Sequence, residues 1–298
     1  MDAVLYGLLC LIWGSTWAAI KFALDGVPPF LGASMRFAIA SIFLAPFAIA
    51  RHKRPLTRDD KIAILSCGVL SFTLSYATVY WSEQYISSGL TAILYCTMPL
   101  FTSLLSAFWT KAERLTPRKI GGIVIGMTGT AVLFWPSGAV GRSQAAGMLA
   151  TLAGAFSAAA NLVTMKKHSK NTDIYVLNAI AMAIGSACLL ALSLCTESYG
   201  ALHWTHANVA ALFYLSLVGS VASFLSYYHL IKTMEATLLS MITLIIPIIA
   251  VGLGWMFLGE TVTVMTGVGI AVIMAGVAIA ISPARKPKPA EALAAEMP

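Results

Sequence analysis

The chain has 298 residues, 59% of them hydrophobic and only 10% charged, with a formal net charge of +7. A soluble domain carries about 25% charged residues, so this composition excludes a soluble globular domain and indicates a polytopic membrane protein. The excess positive charge then reads as orientation in the membrane, not as a nucleic-acid footprint, because cytoplasmic loops collect Lys and Arg.

Ten apolar segments are predicted, near 3–24, 29–50, 61–82, 86–110, 118–135, 145–165, 173–195, 207–230, 236–258 and 263–282. The first has no basic stretch before it and no small-residue cleavage site after it, so it reads as a retained helix. Within it Trp13, Trp17 and Lys21 recur every four residues and share one face. The two tryptophans either line a cavity or pack against other helices. Lys21 either meets a substrate carboxylate or snorkels outwards. Gly14, next to Ser15 and Thr16, lets this helix bend.

Segment two carries Arg36 about seven residues inside its outer end. A charge at that depth needs a partner or water. Topology makes Asp25 and Glu260 the nearest carboxylates, and a structural or gating ion pair is favoured over direct substrate contact. Tyr76 and Tyr80 share a face of segment three. Tyr76, with Tyr95 in segment four, lies deep enough to line a cavity, whereas an aromatic belt explains Tyr80, Trp81, Tyr227 and Tyr228 about as well as a ligand does. Segment four has Pro99 at its centre and Glu113 at its end. Gly122, Gly126 and Gly129 in segment five, and Gly269 and Gly276 in segment ten, mark close packing in a monomer or a homodimer. Segments six and eight offer Ser157, Asn161, Ser220 and Ser223 as small polar groups for close packing or a cavity wall. His229 reads mainly as an interfacial histidine.

Segment nine lies in the run from Glu235 to Glu260, which is uncharged between the two glutamates. As a helix it is about 36 Å long at ~1.5 Å per residue, enough to cross a bilayer core. Pro247 at its middle removes a backbone donor and kinks it. Such a break survives in hydrocarbon only against other helices or a polar cavity. Two proline-broken helices in corresponding places suggest a transporter with its site between them. The five cysteines are scattered, so no metal site, disulfide or cofactor is expected. Residues 283–298 read as a disordered tail.

All but Lys21, Arg36 and Arg142 of the 19 basic residues fall in the loops after segments two, four, six and eight or in the tail. Both termini are therefore expected in the cytoplasm. The chain also repeats itself. Gly7, Gly14 and Lys21 match Gly147, Gly154 and Asn161; Ser75, Tyr76 and Tyr80 match Ser223, Phe224 and Tyr228. Pro99 matches Pro247, and Glu113, Gly122 and Gly129 match Glu260, Gly269 and Gly276. Five segments per half is an odd number, so the second half must be inverted. The predicted fold is all-α and integral to the membrane, with ten transmembrane helices in two inverted five-helix repeats, 1–138 and 139–282.

Trp13-Gly14-Ser15-Thr16 with Lys21, Arg36-Phe37, and the run PIIAVGLGWMFLGE ending at Glu260 with its weaker twin ending at Glu113 resemble the drug/metabolite transporter superfamily, in its ten-helix EamA-type branch. The likeness covers about residues 3–282. It implies export of amino acids or other small metabolites across a bacterial inner membrane, and one subgroup exports aromatic amino acids. The residues add their own limits. No HExxH occurs and no Asp lies inside a segment, which argues against an intramembrane enzyme. No filter loop or ring of like charge suggests a channel. Segment one lacks the glutamate through which the small multidrug relatives couple to protons. Lys21 and Arg36 alone are too few cations for phosphate-bearing substrates. What remains is a zwitterionic or neutral amphiphile, apolar amino acids foremost, with another drug-like or neutral metabolite as the alternative. The expected lining is Trp13, Thr16, Trp17, Lys21, Tyr76, Tyr95, Ser157, Asn161 and Ser223. Gly14, Pro99 and Pro247 are the expected hinges, and Arg36, Glu113 and Glu260 the structural charges.

Overall fold

The computed structural model describes residues 2–52, 54–110, 116–133, 141–233 and 242–281. Glu113, the expected repeat boundary at 138/139 and the tail from 283 lie outside the described residues. The chain runs through α1 (Asp2–Ala23), α2 (Pro29–Arg51), α3 (Arg58–Ser82), α4 (Ser88–Phe108) and α5 (Pro117–Leu133). It continues through α6 (Arg142–His168), α7 (Ile174–Thr196), α8 (His206–Tyr227, helical on to Thr233), α9 (Ile242–Leu258) and α10 (Val264–Ile281). Among the described residues there is no β-strand. Seven of these helices, α1 to α4 and α6 to α8, are long and apolar enough to cross a membrane. The apolar parts of α9 and α10, Ile245–Leu258 and Val264–Ala280, are shorter. This is a multi-pass helical membrane protein.

Helix ends leave backbone donors that hydrocarbon cannot satisfy, so each start needs an acceptor. The bundle meets this need differently at its two ends. At one end, polar clusters join the loops. Asp60 accepts from the backbone N–H of Thr57 at 2.8 Å, from Arg54 at 2.8 Å and from the Thr172 hydroxyl at 2.6 Å, tying α3 to the loop before α7. His168 bonds Asp59 at 2.7 Å, and Asp173 caps α7 through the N–H of Tyr175. At the other end, carboxylates from distant helices cap the starts. Glu197 accepts from the N–H groups of Phe30 and Leu31 at 2.7 and 3.0 Å, where Pro28 leaves α2 without a side-chain cap of its own. Glu260 likewise accepts from Ser88 and Gly89 at 2.7 and 3.1 Å, at the start of α4.

The most extensive helix pairs are α2 with α7 and α5 with α10. Across the first, Ser34 and Ser186 exchange bonds, each hydroxyl donating to the other's carbonyl at 2.9 Å. Ser41 adds a bond to the Ala179 carbonyl at 2.7 Å. In the second pair, Gly122 and Gly126 meet Gly276 backbone to backbone, which only absent side chains permit. The regular helix also breaks in matching places. α3 is π-helical over Cys67–Ser75 and α8 over Tyr214–Ala222. The two proline helices differ. α4 turns out of helix at Cys96 and Thr97 and restarts at Met98, with Pro99 in its new first turn. α9 stays helical on both sides of Pro247.

Candidate functional site

An unbroken ladder of aromatic rings links α8, α1, α3 and α2. Tyr227 meets Trp13 at 5.1 Å between ring centroids, Trp13 meets Phe224 at 6.1 Å, and Phe224 meets Phe72 at 5.8 Å. Phe72 packs on Phe37 at 4.8 Å, Phe37 on Tyr76 at 4.7 Å edge-on, and Tyr76 on Tyr80 at 6.5 Å. Trp17 stacks against Tyr95 at 5.3 Å, and the Tyr95 hydroxyl pairs with Ser75 at 2.9 Å. Trp17, Tyr76, Tyr95 and Phe224 all pack on the same core around Phe37 and Phe72.

Arg36 enters this cluster from α2 and is 1% exposed. Its guanidinium carbon lies 4.9 Å from the Tyr76 ring centre and 5.5 Å from that of Phe37, within cation–π reach. It donates to the Ser220 hydroxyl at 3.0 Å, to the Gly219 carbonyl at 3.2 Å and, weakly, to the Tyr80 hydroxyl at 3.5 Å. Both acceptors on α8 lie in its π-helical stretch, and a side chain at Gly219 would run into the Thr16 methyl. Among the described residues no carboxylate pairs with Arg36. The expected partner, Asp25 or Glu260, is therefore corrected: Glu260 spends both oxygens on the start of α4. A second polar group in this core is also unmatched, because the indole N–H of Trp17 is buried with no acceptor.

A family model settles what this bundle is related to. The EamA-like transporter family matches residues 2–135 and again 145–282. The chain belongs to the EamA-like transporter family. A "probable amino-acid metabolite efflux pump" of Salmonella typhimurium is 29% identical over 93% of this EamA-like chain and 94% of its own. The uncharacterized transporter YvbV of Bacillus subtilis is 29% identical, covering 93% of this chain and 90% of that protein. A solved crystal structure superposes with a TM-score of 0.65 at 18% identity, covering 94% of this chain and 96% of that one, and so shares the fold.

Within this EamA-like bundle the residues expected at the site fall into two groups. Trp13, Trp17, Tyr76 and Tyr95 join the ladder and its core, and Thr16 is buried against Gly219, its hydroxyl held by the Trp13 carbonyl at 2.7 Å. Ser223 faces the same stretch and donates to the Gly219 carbonyl at 2.8 Å. Ser157 and Asn161 are not with them. Ser157 donates to the Leu70 carbonyl at 2.7 Å, and Asn161 accepts from Ser66 at 3.0 Å, so both serve the contact of α6 with α3. Lys21 lies beyond the ladder and donates to the backbone carbonyl of Glu83. Gly14 rests against Ile249 of α9. Phe72, Gly219 and Glu83 were not singled out in the sequence, and Phe37 was quoted only as the neighbour of Arg36. In a chain this apolar, only the pairing of Arg36 with Phe37 hinted at any of them.

Proposed function

We propose that this transporter exports small organic carboxylates with an apolar or aromatic body, amino acids foremost, and that Arg36 holds the carboxylate. The observation that carries this reading is a buried guanidinium whose hydrogen-bond partners are all neutral, set against aromatic rings. A fixed cation in a dry interior is stabilised by an anion, and guanidinium matches a carboxylate in shape as well as charge. The rings of Trp17, Tyr76 and Tyr95 suit the apolar body, and the unmatched Trp17 N–H suits a second acceptor. The amino-acid efflux relative in Salmonella favours the same substrate class.

The proposed architecture is ten membrane-crossing helices in two inverted repeats, 1–138 and 139–282, with both termini on the cytoplasmic side of a bacterial inner membrane. In its support, α1 packs on α9 as α6 packs on α4, and α2 and α5 each pack on their own counterparts. The double family match and the reciprocal Ser34–Ser186 bonds favour it too. Transport then proceeds by alternating access: the repeats rock about a site formed by Arg36, Trp13, Thr16, Trp17, Tyr76, Tyr95 and Ser223, with Gly14, Pro99 and Pro247 as flexing points.

The test is binding and proteoliposome transport of L-phenylalanine beside 2-phenylethylamine, which keeps the ring and amine but lacks the carboxylate. Phenylalanine should bind and move, and the amine should not. Arg36→Gln should weaken phenylalanine binding by about 2–3 kcal/mol, roughly a hundredfold. Equal handling of the two compounds by the wild type would overturn the carboxylate reading in favour of a neutral or cationic amphiphile.

A further inference from the structure

Beyond the aromatic core, α1, α3, α4 and α9 converge on a second polar cluster around Glu83, a group with no part in the substrate site although Arg36 and Tyr80 border it. Glu83 lies on the link from α3 to α4 and is 1% exposed. Neither of its carboxyl oxygens has a hydrogen-bond partner, and the neighbouring Ser88 hydroxyl has none. The Lys21 ammonium donates to the backbone carbonyl of Glu83 and not to its carboxylate. The Glu260 carboxylate is already occupied by two backbone donors. A bare, buried carboxylate is among the costliest groups a protein can hold, whereas the neutral acid is tolerated.

We infer that Glu83 is a proton-binding site of the gate at this end of the bundle, protonated while the helices are closed and releasing its proton when they part. The inference rests on the alternating-access reading, in which this end faces the outside. The charged and titratable groups facing Glu83 are Lys21 from α1, Arg36 from α2, Tyr80 from α3 and Glu260 after α9. α6, which also packs here, brings Gly147 against Ser82 and Tyr85 and the Thr151 hydroxyl against Ser82. Burial holds the Glu83 pKa well above the ordinary carboxylate range, against the pull of Lys21, while Glu260 pushes it higher and Arg36 opposes. Opening hydrates the group and returns it towards the ordinary value of about 4.3. The sign follows. Closing takes up a proton, so the closed end is favoured as external pH falls, and that preference is lost as pH rises past the closed-state pKa. An acidic outside thus drives the gate shut after release, which speeds the return half of the export cycle.

Two measurements test this. Infrared spectra of the purified protein at about neutral pH, well above the ordinary glutamate value, should show a protonated-carboxyl band that Glu83→Gln removes. Spin labels at Gln84→Cys and Val262→Cys, in a background without native cysteines, should report a distance across the gate by electron–electron resonance. At about pH 5.5 the short distance should dominate, and at about pH 8.5 a longer one should grow in, both values lying above the ordinary glutamate pKa. Glu83→Gln should stay short at both, and Glu83→Asp should keep the pH response. Absence of a Glu83-dependent band, or an unchanged pH response in Glu83→Gln, would overturn the inference. Neither readout uses a transported compound, so failure here is distinct from failure of the carboxylate reading.

Discussion

A buried donor with no acceptor is a debt that a ligand can settle, and Trp17 carries one. Trp17→Phe keeps a ring against Tyr95 and deletes the orphan N–H. Folding should be unharmed, because removing an unsatisfied buried group relieves strain. Phenylalanine affinity should nevertheless fall about tenfold, or about 1.4 kcal/mol, if that N–H meets the substrate. Calorimetric titration checks it, and unchanged affinity would assign Trp17 to packing alone. The depth of Arg36 was legible from its place in an apolar segment. Its partners were not, since nothing in the sequence of α8 marks the Gly219 carbonyl and the Ser220 hydroxyl as the groups that face it. That Phe37 and Phe72 point into the core stayed hidden for a different reason. When lipid is as apolar as the core, periodicity no longer separates the inward face of a helix from the outward one, and depth can be read while direction cannot. The same ambiguity covers Ser157 and Asn161, which bond to α3 and not to the ladder.

Among elements, the proline helices invite the sharpest comparison. Their sequence match suggests equivalence, yet only α4 leaves helical geometry beside its proline. Pro99 occupies a first-turn position, where a missing N–H is no loss. Pro247 lies within α9 and deprives the Thr243 carbonyl of its helical donor. Pro247→Ala restores that bond, so the protein should express and insert normally while initial rates of labelled phenylalanine efflux drop severalfold, with a rough ceiling of 3 kcal/mol on the helix stabilisation gained. Pro99→Ala should slow transport less, because the turn at Cys96 and Thr97 persists without it. Wild-type rates in both variants would reduce the prolines to packing features.

For the whole molecule, the two ends of the bundle differ in chemistry: Arg51, Arg54 and His168 meet Asp173, Asp60 and Asp59 at one, and Glu197 and Glu260 cap helices at the other. The predicted topology places the first end in the cytoplasm. A membrane-impermeant thiol reagent applied to intact cells should therefore label Ser198→Cys and spare Thr57→Cys until the membrane is opened; labelling of both from outside would refute it. The gathering of basic residues at one end was legible because loop charge survives in a sequence whatever the helices do. The serine exchange between α2 and α7 has a consequence for how the protein is made. The ribosome delivers α2 long before α7, so the hydroxyls of Ser34 and Ser41 enter the bilayer with their eventual acceptors still unsynthesised. A nascent α2 must wait, its polar face turned to lipid or to a chaperone, until α7 has followed it out of the ribosome.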